Sequence, residues 1–75
     1  MYTTKFYIIF EYGYHRVDIE TTQEDYYKVI NDMSKEFELH FQSDVQENGR
    51  LSESVYFENY LGDKVFLAFS LDVEV

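Results

Sequence analysis

Residues 5–20 read KFYIIFEYGYHRVDIE, and the alternation of apolar and polar side chains around a single glycine predicts a β-hairpin. A two-residue loop with glycine first, Gly13-Tyr14, is a favoured hairpin turn. This loop sets Tyr12 opposite His15, Glu11 opposite Arg16, Phe10 opposite Val17, Ile9 opposite Asp18 and Ile8 opposite Ile19. One face then holds Phe6, Ile8, Phe10, Val17 and Ile19, and the other holds a Glu11–Arg16 ion pair. The rest of the chain must cover the apolar face.

The segment after the hairpin predicts a helix that begins at Thr21 or Thr22. Either threonine is a good N-cap, and Thr21 with Glu24 has the spacing of a capping box. An apolar stripe follows at helical spacing, formed by Tyr26, Val29, Ile30, Met33 and Phe37. We expect this stripe to pack on the apolar face of the hairpin, as a helix layer over a sheet layer.

Residues 37–61 predict two further strands. Alternation begins after the helix and predicts a third strand that starts near Glu38, although no glycine or proline marks the boundary. The pair Asn48-Gly49, within the loop Gln46–Arg50, predicts a tight hairpin turn. Residues 51–61 suit a fourth strand; the alternative is a short helix capped by Ser52 or Ser54.

The last predicted strand runs from Lys64 to Val75, after a second turn signal at Gly62-Asp63. Its alternation places Val65, Leu67, Phe69, Leu71 and Val73 on one face, which predicts an interior strand. The predicted fold is therefore a single compact α+β domain over residues 1–75. It is a two-layer sandwich, a mostly antiparallel sheet in the order β-β-α-β-β-β with one amphipathic helix on one face.

The composition indicates how so short a chain builds a core. Eight tyrosines and seven phenylalanines supply large buried rings, whereas the absence of cysteine removes disulfides. The absence of cysteine also favours a cytoplasmic protein, in the host cytoplasm if the source is viral. The longest apolar runs are only five residues, which predicts neither a secretory segment nor a membrane span.

Charge is the strongest global signal, with 15 acidic residues against six basic ones and a net charge of −9. Nine of the acids lie in residues 36–75, where Arg50 and Lys64 are the only bases. The negative electrostatic field of this charge repels nucleic acid and anionic lipid, so we expect no direct binding to either. It attracts basic protein surfaces. The alternative, that the charge only keeps an aromatic-rich protein in solution, is also open.

Motifs for catalysis or for a metal or other cofactor are not found. Residues 44–49 resemble the start of an EF-hand calcium loop, but Val55 stands where the bidentate glutamate is needed. His15 and His40 lie on different predicted strands, and neither has a second ligand at metal-binding spacing. No phosphate-binding glycine loop or nucleophile turn is present. We therefore expect a protein that is not an enzyme and has no cofactor.

A binding module remains, with its candidate surface in the acidic C-terminal half. The predicted partner-binding residues are Asp44, Glu47, Glu53, Tyr56, Glu58, Tyr60, Asp63, Asp72 and Glu74. Carboxylates on a rigid sheet can imitate phosphates and so block a basic, nucleic-acid-binding partner such as a nuclease. Phage anti-restriction and anti-CRISPR proteins and nuclease immunity proteins are inhibitors of this physical type; the likeness is one of charge and size. The alternative is a regulatory or assembly subunit that binds a partner, or itself as a homodimer, through an exposed sheet edge.

Overall fold

A computed structural model describes residues 1–47 and 49–75 and confirms the α+β class and the predicted element order. The elements are β1 (Tyr2–Tyr12), β2 (His15–Thr21), α1 (Gln23–Ser34), β3 (His40–Val45), β4 (Leu51–Glu58) and β5 (Lys64–Glu74). All five strands form one antiparallel sheet in the order β2-β1-β5-β4-β3. Strand β5 is therefore interior, as predicted, and residues 51–58 are a strand. In the described part of the chain, no helix is long and apolar enough to cross a lipid bilayer.

The hairpin has the predicted register, with Phe10 opposite Val17 and each neighbouring pair in phase. Gly13 has a φ of 59°, and no residue other than glycine has a positive φ in the described ranges, which fits a loop of the glycine-first type. The predicted Glu11–Arg16 ion pair is wrong. The Arg16 Nε donates to Asp18 Oδ1 at 2.8 Å, because residues two apart on a strand share a face.

The helix begins after Thr22, which has extended backbone geometry and accepts a hydrogen bond from the Asp25 N–H at 3.1 Å. Thr21 belongs to β2, so the predicted capping box between Thr21 and Glu24 is wrong by one residue. Glu24 and Asp25 lie in the first turn, where negative charge stabilises the helix dipole.

Replacing Thr22 with alanine is expected to lower the free energy of unfolding by about 0.5–2 kcal/mol, because an N–H of the first turn loses its acceptor. Urea denaturation followed by circular dichroism measures this loss. Thr21→Ala is the matched control and should cost less. A larger loss for Thr21→Ala would show that the helix starts one residue earlier.

The core lies where the helix crosses the middle of the sheet. Tyr26, Val55 and Ala68 are buried, and Ala68 lies between Ile8 of β1 and Val55 of β4. The Phe6 ring packs on the Tyr26 ring with 4.8 Å between centroids. A small residue in the central strand lets the large Tyr26 ring approach the sheet.

The helix ends at Ser34, so Phe37, which was predicted to continue the helical stripe, lies beyond it. Its ring nevertheless stacks on Phe57 of β4, with 4.3 Å between centroids. The segment after the helix therefore extends the cover over β4.

The helix does not cover the apolar face of the sheet at the tip of the hairpin. Phe10, Val17 and Ile19 remain 50%, 43% and 49% exposed, although they were predicted to lie under the helix. The cause is length: a helix of 12 residues spans about 18 Å, whereas the 11 residues of β1 span about 37 Å. These three residues form what we call the hairpin patch.

Strand β5 contains a bulge that changes which side its residues face. Val55 pairs with Ala68, but Tyr56 pairs with Phe66, so Leu67 is an extra residue. Leu67 packs against the buried core together with Ala68. The single face predicted for Val65, Leu67, Phe69, Leu71 and Val73 is therefore wrong, since Phe69 and Leu71 lie on the side of the sheet away from the helix.

The side away from the helix, here called the open face, is more apolar than predicted. Ile9 is only 9% exposed there, and with Phe66, Phe69 and Leu71 it lines a shallow depression of about 380 Å³. The Tyr7 ring stacks on Phe69 with 4.7 Å between centroids. Both sides of the sheet therefore contribute apolar packing.

Two loops join β3 to β4 and β4 to β5, at the positions of the two turn signals. Gly62 has a φ of 84°, and its N–H donates to the Asn59 carbonyl at 2.9 Å. The Asn59 side chain also accepts hydrogen bonds from the N–H groups of Leu61 and Asp63. In the first loop, Gly49 has a φ of 79°; its predicted turn partner Asn48 lies outside the described residues.

Candidate partner-binding surfaces

An open groove of about 590 Å³ lies on the helix side of the sheet, beside the first turn of the helix. We call it the acidic groove; its main lining residues are Thr4, Phe6, Tyr27, Glu53, Ser70 and Asp72. The strand register creates it, because Ser70 is opposite both Phe6 and Glu53 and Asp72 is opposite Thr4. Among the described residues that line it, none is a lysine or arginine.

The two carboxylates of the groove are held by hydroxyl groups. Asp72 Oδ1 accepts a hydrogen bond from Thr4 Oγ1 at 2.7 Å, and Glu53 Oε2 accepts one from Ser43 Oγ at 3.4 Å. Neither carboxylate has a salt bridge to another described residue. Hydroxyl donors position the carboxylates without neutralising them, so the groove keeps its negative charge.

Tyr26 lies close to this groove. It is only 2% exposed, and its phenol oxygen makes no hydrogen bond of good geometry with a described residue, although the Ser70 hydroxyl is close enough to lower its pKa. Burial, followed by the charge of Glu53, raises the pKa of Tyr26 to about 12, while the nearby Ser70 hydroxyl acts in the opposite direction. A neutral phenol is therefore held close to both Glu53 and Ser70.

The sequence-predicted binding residues are divided between several places. Glu53 and Asp72 meet in the acidic groove, whereas Asp44, Tyr56 and Glu58 follow the alternation of the open face. Glu47 lies in the β3–β4 loop, Tyr60 and Asp63 lie in the β4–β5 loop, and Glu74 pairs with Arg50 at 3.4 Å. The structure places two of the nine predicted residues in one groove and distributes the other seven over different parts of the surface.

On the open face, Tyr56 is the centre of an aromatic cluster. Its ring lies 5.3 Å from the His40 ring and 5.4 Å from the Phe66 ring, measured between centroids. The Lys64 Nζ lies 4.9 Å from its centroid and donates to Gln42 Oε1 at 3.4 Å. His40 is thus a stacking residue.

Sequence reasoning missed neutral residues of the groove, among them Thr4, Ser43, Ser70 and Tyr27. Ser70 and Asp72 carried a usable signal, since two polar residues in an interior strand must meet other polar groups or water. The identity of those groups depends on which strands lie beside β5.

Residues 44–49 resemble a calcium loop in sequence, but the first of them lies in a strand and not in a loop between two helices. Asp44 lies within β3, and Val55 is fully buried in β4. Over residues 1–47 and 49–75, no group of three or more acidic or histidine side chains is placed to hold a metal ion.

The chemistry of the acidic groove suits a cationic group with an apolar stem. The Phe6 and Tyr27 rings offer apolar surface and π-faces, and the carboxylates of Glu53 and Asp72 accept hydrogen bonds. A lysine or arginine side chain has both features. Comparisons of the chain with known protein families, curated proteins and solved structures found no match.

Proposed function

We propose that this protein is a small acidic inhibitor, not an enzyme, that binds the nucleic-acid-binding surface of a basic partner protein. The observation that supports this most directly is that Glu53 and Asp72 line the same groove. None of the described residues that line this groove is a lysine or arginine. A lysine or arginine of the partner would lay its stem on Phe6 and Tyr27 and direct its charged group to the two carboxylates.

The expected partner is a nuclease or another nucleic-acid-binding protein. Such proteins expose lysine and arginine side chains in a phosphate-binding channel, which is the surface that a net charge of −9 attracts most strongly. The remaining predicted acids, including Asp44, Glu47 and Glu58, would add to the long-range field and raise the association rate. Anti-restriction, anti-CRISPR and nuclease immunity proteins, which resemble this chain in charge and size, share this mode of action. It would place the protein in the cytoplasm of the cell that contains the partner.

Competition tests the proposal. The tagged chain is used to isolate its partner from cells, and the untagged chain is then titrated into a complex of that partner with labelled nucleic acid. We expect the chain to displace the nucleic acid, and its affinity for the partner to fall steeply with added salt. A complex that contains both the chain and the nucleic acid, without mutual displacement, would rule out phosphate mimicry.

Neutralising the groove tests the site itself. The double variant Glu53→Gln/Asp72→Asn should weaken partner binding by about tenfold or more, because a buried partner cation loses its hydrogen-bonded carboxylates. Glu24→Gln/Asp25→Asn changes the net charge equally but lies in the first turn of the helix, so it should have a much smaller effect. Equal losses in the two double variants, measured by surface plasmon resonance, would show that only total charge matters.

A further inference from the structure

Strand β2 presents an unusual edge. The strand order places it at the end of the sheet. It carries Val17 and Ile19 of the hairpin patch, and Phe10 of the same patch lies on the neighbouring strand β1. Phe10 is directly opposite Val17, so the exposed apolar side chains run continuously up to the edge. Scattered exposed apolar residues are common, but a continuous row beside a sheet edge marks a contact surface.

The backbone of this edge directs hydrogen-bonding groups outward at defined residues. In a two-residue hairpin the pair Tyr12–His15 is hydrogen-bonded, and hydrogen-bonded pairs then alternate along the ladder. Val17 therefore directs its backbone groups towards β1, whereas Arg16 and Asp18 direct theirs outward. Their side chains lie on the open face, joined by the 2.8 Å salt bridge.

The charges along β2 select one way of pairing this edge with a second copy. A two-fold axis perpendicular to the sheet at Val17 places Arg16 opposite Asp18 of the second copy, and the reverse. An axis at Asp18 sets two aspartates against each other, and an axis at Arg16 sets two arginines against each other. The Val17 register is thus the one of these three that directly opposes unlike charges and no like charges.

The same register joins the two hairpin patches. Val17 meets Val17 of the second copy, and Phe10 flanks this pair on each side, which makes one apolar row across the two-fold axis. Arg16 and Asp18 of both copies form an alternating network of four charges on the opposite side of the sheet. The apolar row and the charge network therefore require the same register.

The distribution of charge also favours β2 over the other edge. Residues 1–35 hold six acids and four bases, whereas residues 36–75, which contain β3, hold nine acids and two bases. Two chains of net charge −9 repel each other, and this repulsion is weakest where acids and bases are nearly balanced.

We infer that β2 pairs antiparallel with β2 of a second copy about a two-fold axis at Val17, which forms a ten-stranded sheet in a homodimer. The acidic groove is lined by β1, β3, β4, β5 and the helix, so each copy keeps its groove. The dimer is independent of the proposed inhibitory function.

Disulfide trapping tests the register, since the chain has no cysteine of its own. In the inferred dimer the two Val17 Cα atoms form a non-hydrogen-bonded pair about 4.5 Å apart, within the range of about 4.4–6.8 Å that a disulfide spans. Val17→Cys should give a covalent dimer on a non-reducing gel after mild oxidation. Asp18→Cys and Ile19→Cys are the controls and should give no covalent dimer on the same gel. Cross-linking of Asp18→Cys instead, or equally in all three variants, would overturn the inferred register.

A charge exchange tests the dimer without covalent trapping. Arg16→Asp and Asp18→Arg should each be monomeric in analytical ultracentrifugation, because each opposes like charges across the axis. An equimolar mixture of the two folded variants should form a heterodimer, since every opposed pair is then of unlike sign. Circular dichroism confirms that each variant is folded, and a mixture that remains monomeric would contradict the pairing.

Salt separates this inference from the proposed function. Added salt screens the long-range repulsion between two chains of net charge −9 more than the short Arg16–Asp18 contacts across the axis, so dimerisation of the natural chain should strengthen, whereas capture of a basic partner should weaken. A natural chain that sediments as a monomer at high protein concentration in both low and high salt would overturn the dimer and leave the inhibitory function unaffected.

Discussion

Replacing Ile9 with alanine is expected to lower the free energy of unfolding by about 2–5 kcal/mol, as for other well-buried isoleucines. Ile9 is 9% exposed and lines the depression of the open face together with Phe66 and Phe69, so the shorter side chain removes buried apolar surface there. Denaturation in urea, with an unchanged slope against denaturant, measures the loss.

Phe10→Ala is the matched comparison, because Phe10 is the neighbouring residue and is half exposed. It should cost clearly less than Ile9→Ala even though phenylalanine is larger. This order reverses the one that hairpin patterning predicts, in which Phe10 faces the helix and Ile9 faces solvent. A larger loss for Phe10→Ala would mean that the helix side extends over the hairpin tip.

Alkaline pH should destabilise the protein through Tyr26. The pKa of this phenol is raised to about 12 in the folded chain from an ordinary value of 10.0, so between these values the unfolded chain releases its proton first. The destabilisation that comes from Tyr26 is therefore absent below pH 10 and grows as the pH rises towards 12. The contribution is on the order of 2–3 kcal/mol, since each pKa unit corresponds to about 1.36 kcal/mol.

The variant Tyr26→Phe isolates this effect from the other tyrosines. It should remove the Tyr26 share of the alkaline loss while changing stability little at neutral pH, because the hydroxyl makes no hydrogen bond of good geometry with a described residue. Tyr27→Phe is the control, since Tyr27 is exposed on the same helix. Identical pH profiles for the natural chain and Tyr26→Phe would show that the phenol is not held neutral by the fold.

Local features of the fold were predictable because short-range chemistry determines them. Gly13 and the alternation on either side of it predict the observed hairpin register, and the helical spacing predicts the packing of Tyr26 and Ile30 on the core. Thr22 is the cap rather than Thr21, a difference of one residue that depends on where β2 stops pairing with β1.

The β5 bulge was not predictable in the same way. Its alternation is regular in sequence, yet the pairing of β4 with β5 shifts by one residue between Val55 and Tyr56. The side that Phe69 faces is set by its pairing with Tyr7 of β1 and Ser54 of β4, which are far from it in sequence. Alternation within one strand does not specify where its pairing with a neighbouring strand shifts.

Part of the candidate site was likewise beyond local reasoning. The acidic half was evident from composition, and Glu53 and Asp72 were both expected to bind a partner. Their meeting in one groove, beside Thr4 and Ser70, depends on β5 lying between β1 and β4. The order of strands in a sheet is a long-range property, so the groove appears only in the folded chain.

The extra residue in β5 has an evolutionary consequence. A related protein that lacked a residue at the position of Leu67 would keep the residues after it in phase with β1 but would exchange the sides of those before it. To keep apolar residues buried after such a loss, several positions near Phe66 would have to exchange apolar for polar residues, and the reverse, at the same time. The bulge should therefore be inherited as a unit, and a one-residue gap in an alignment at this point would mark a separate lineage.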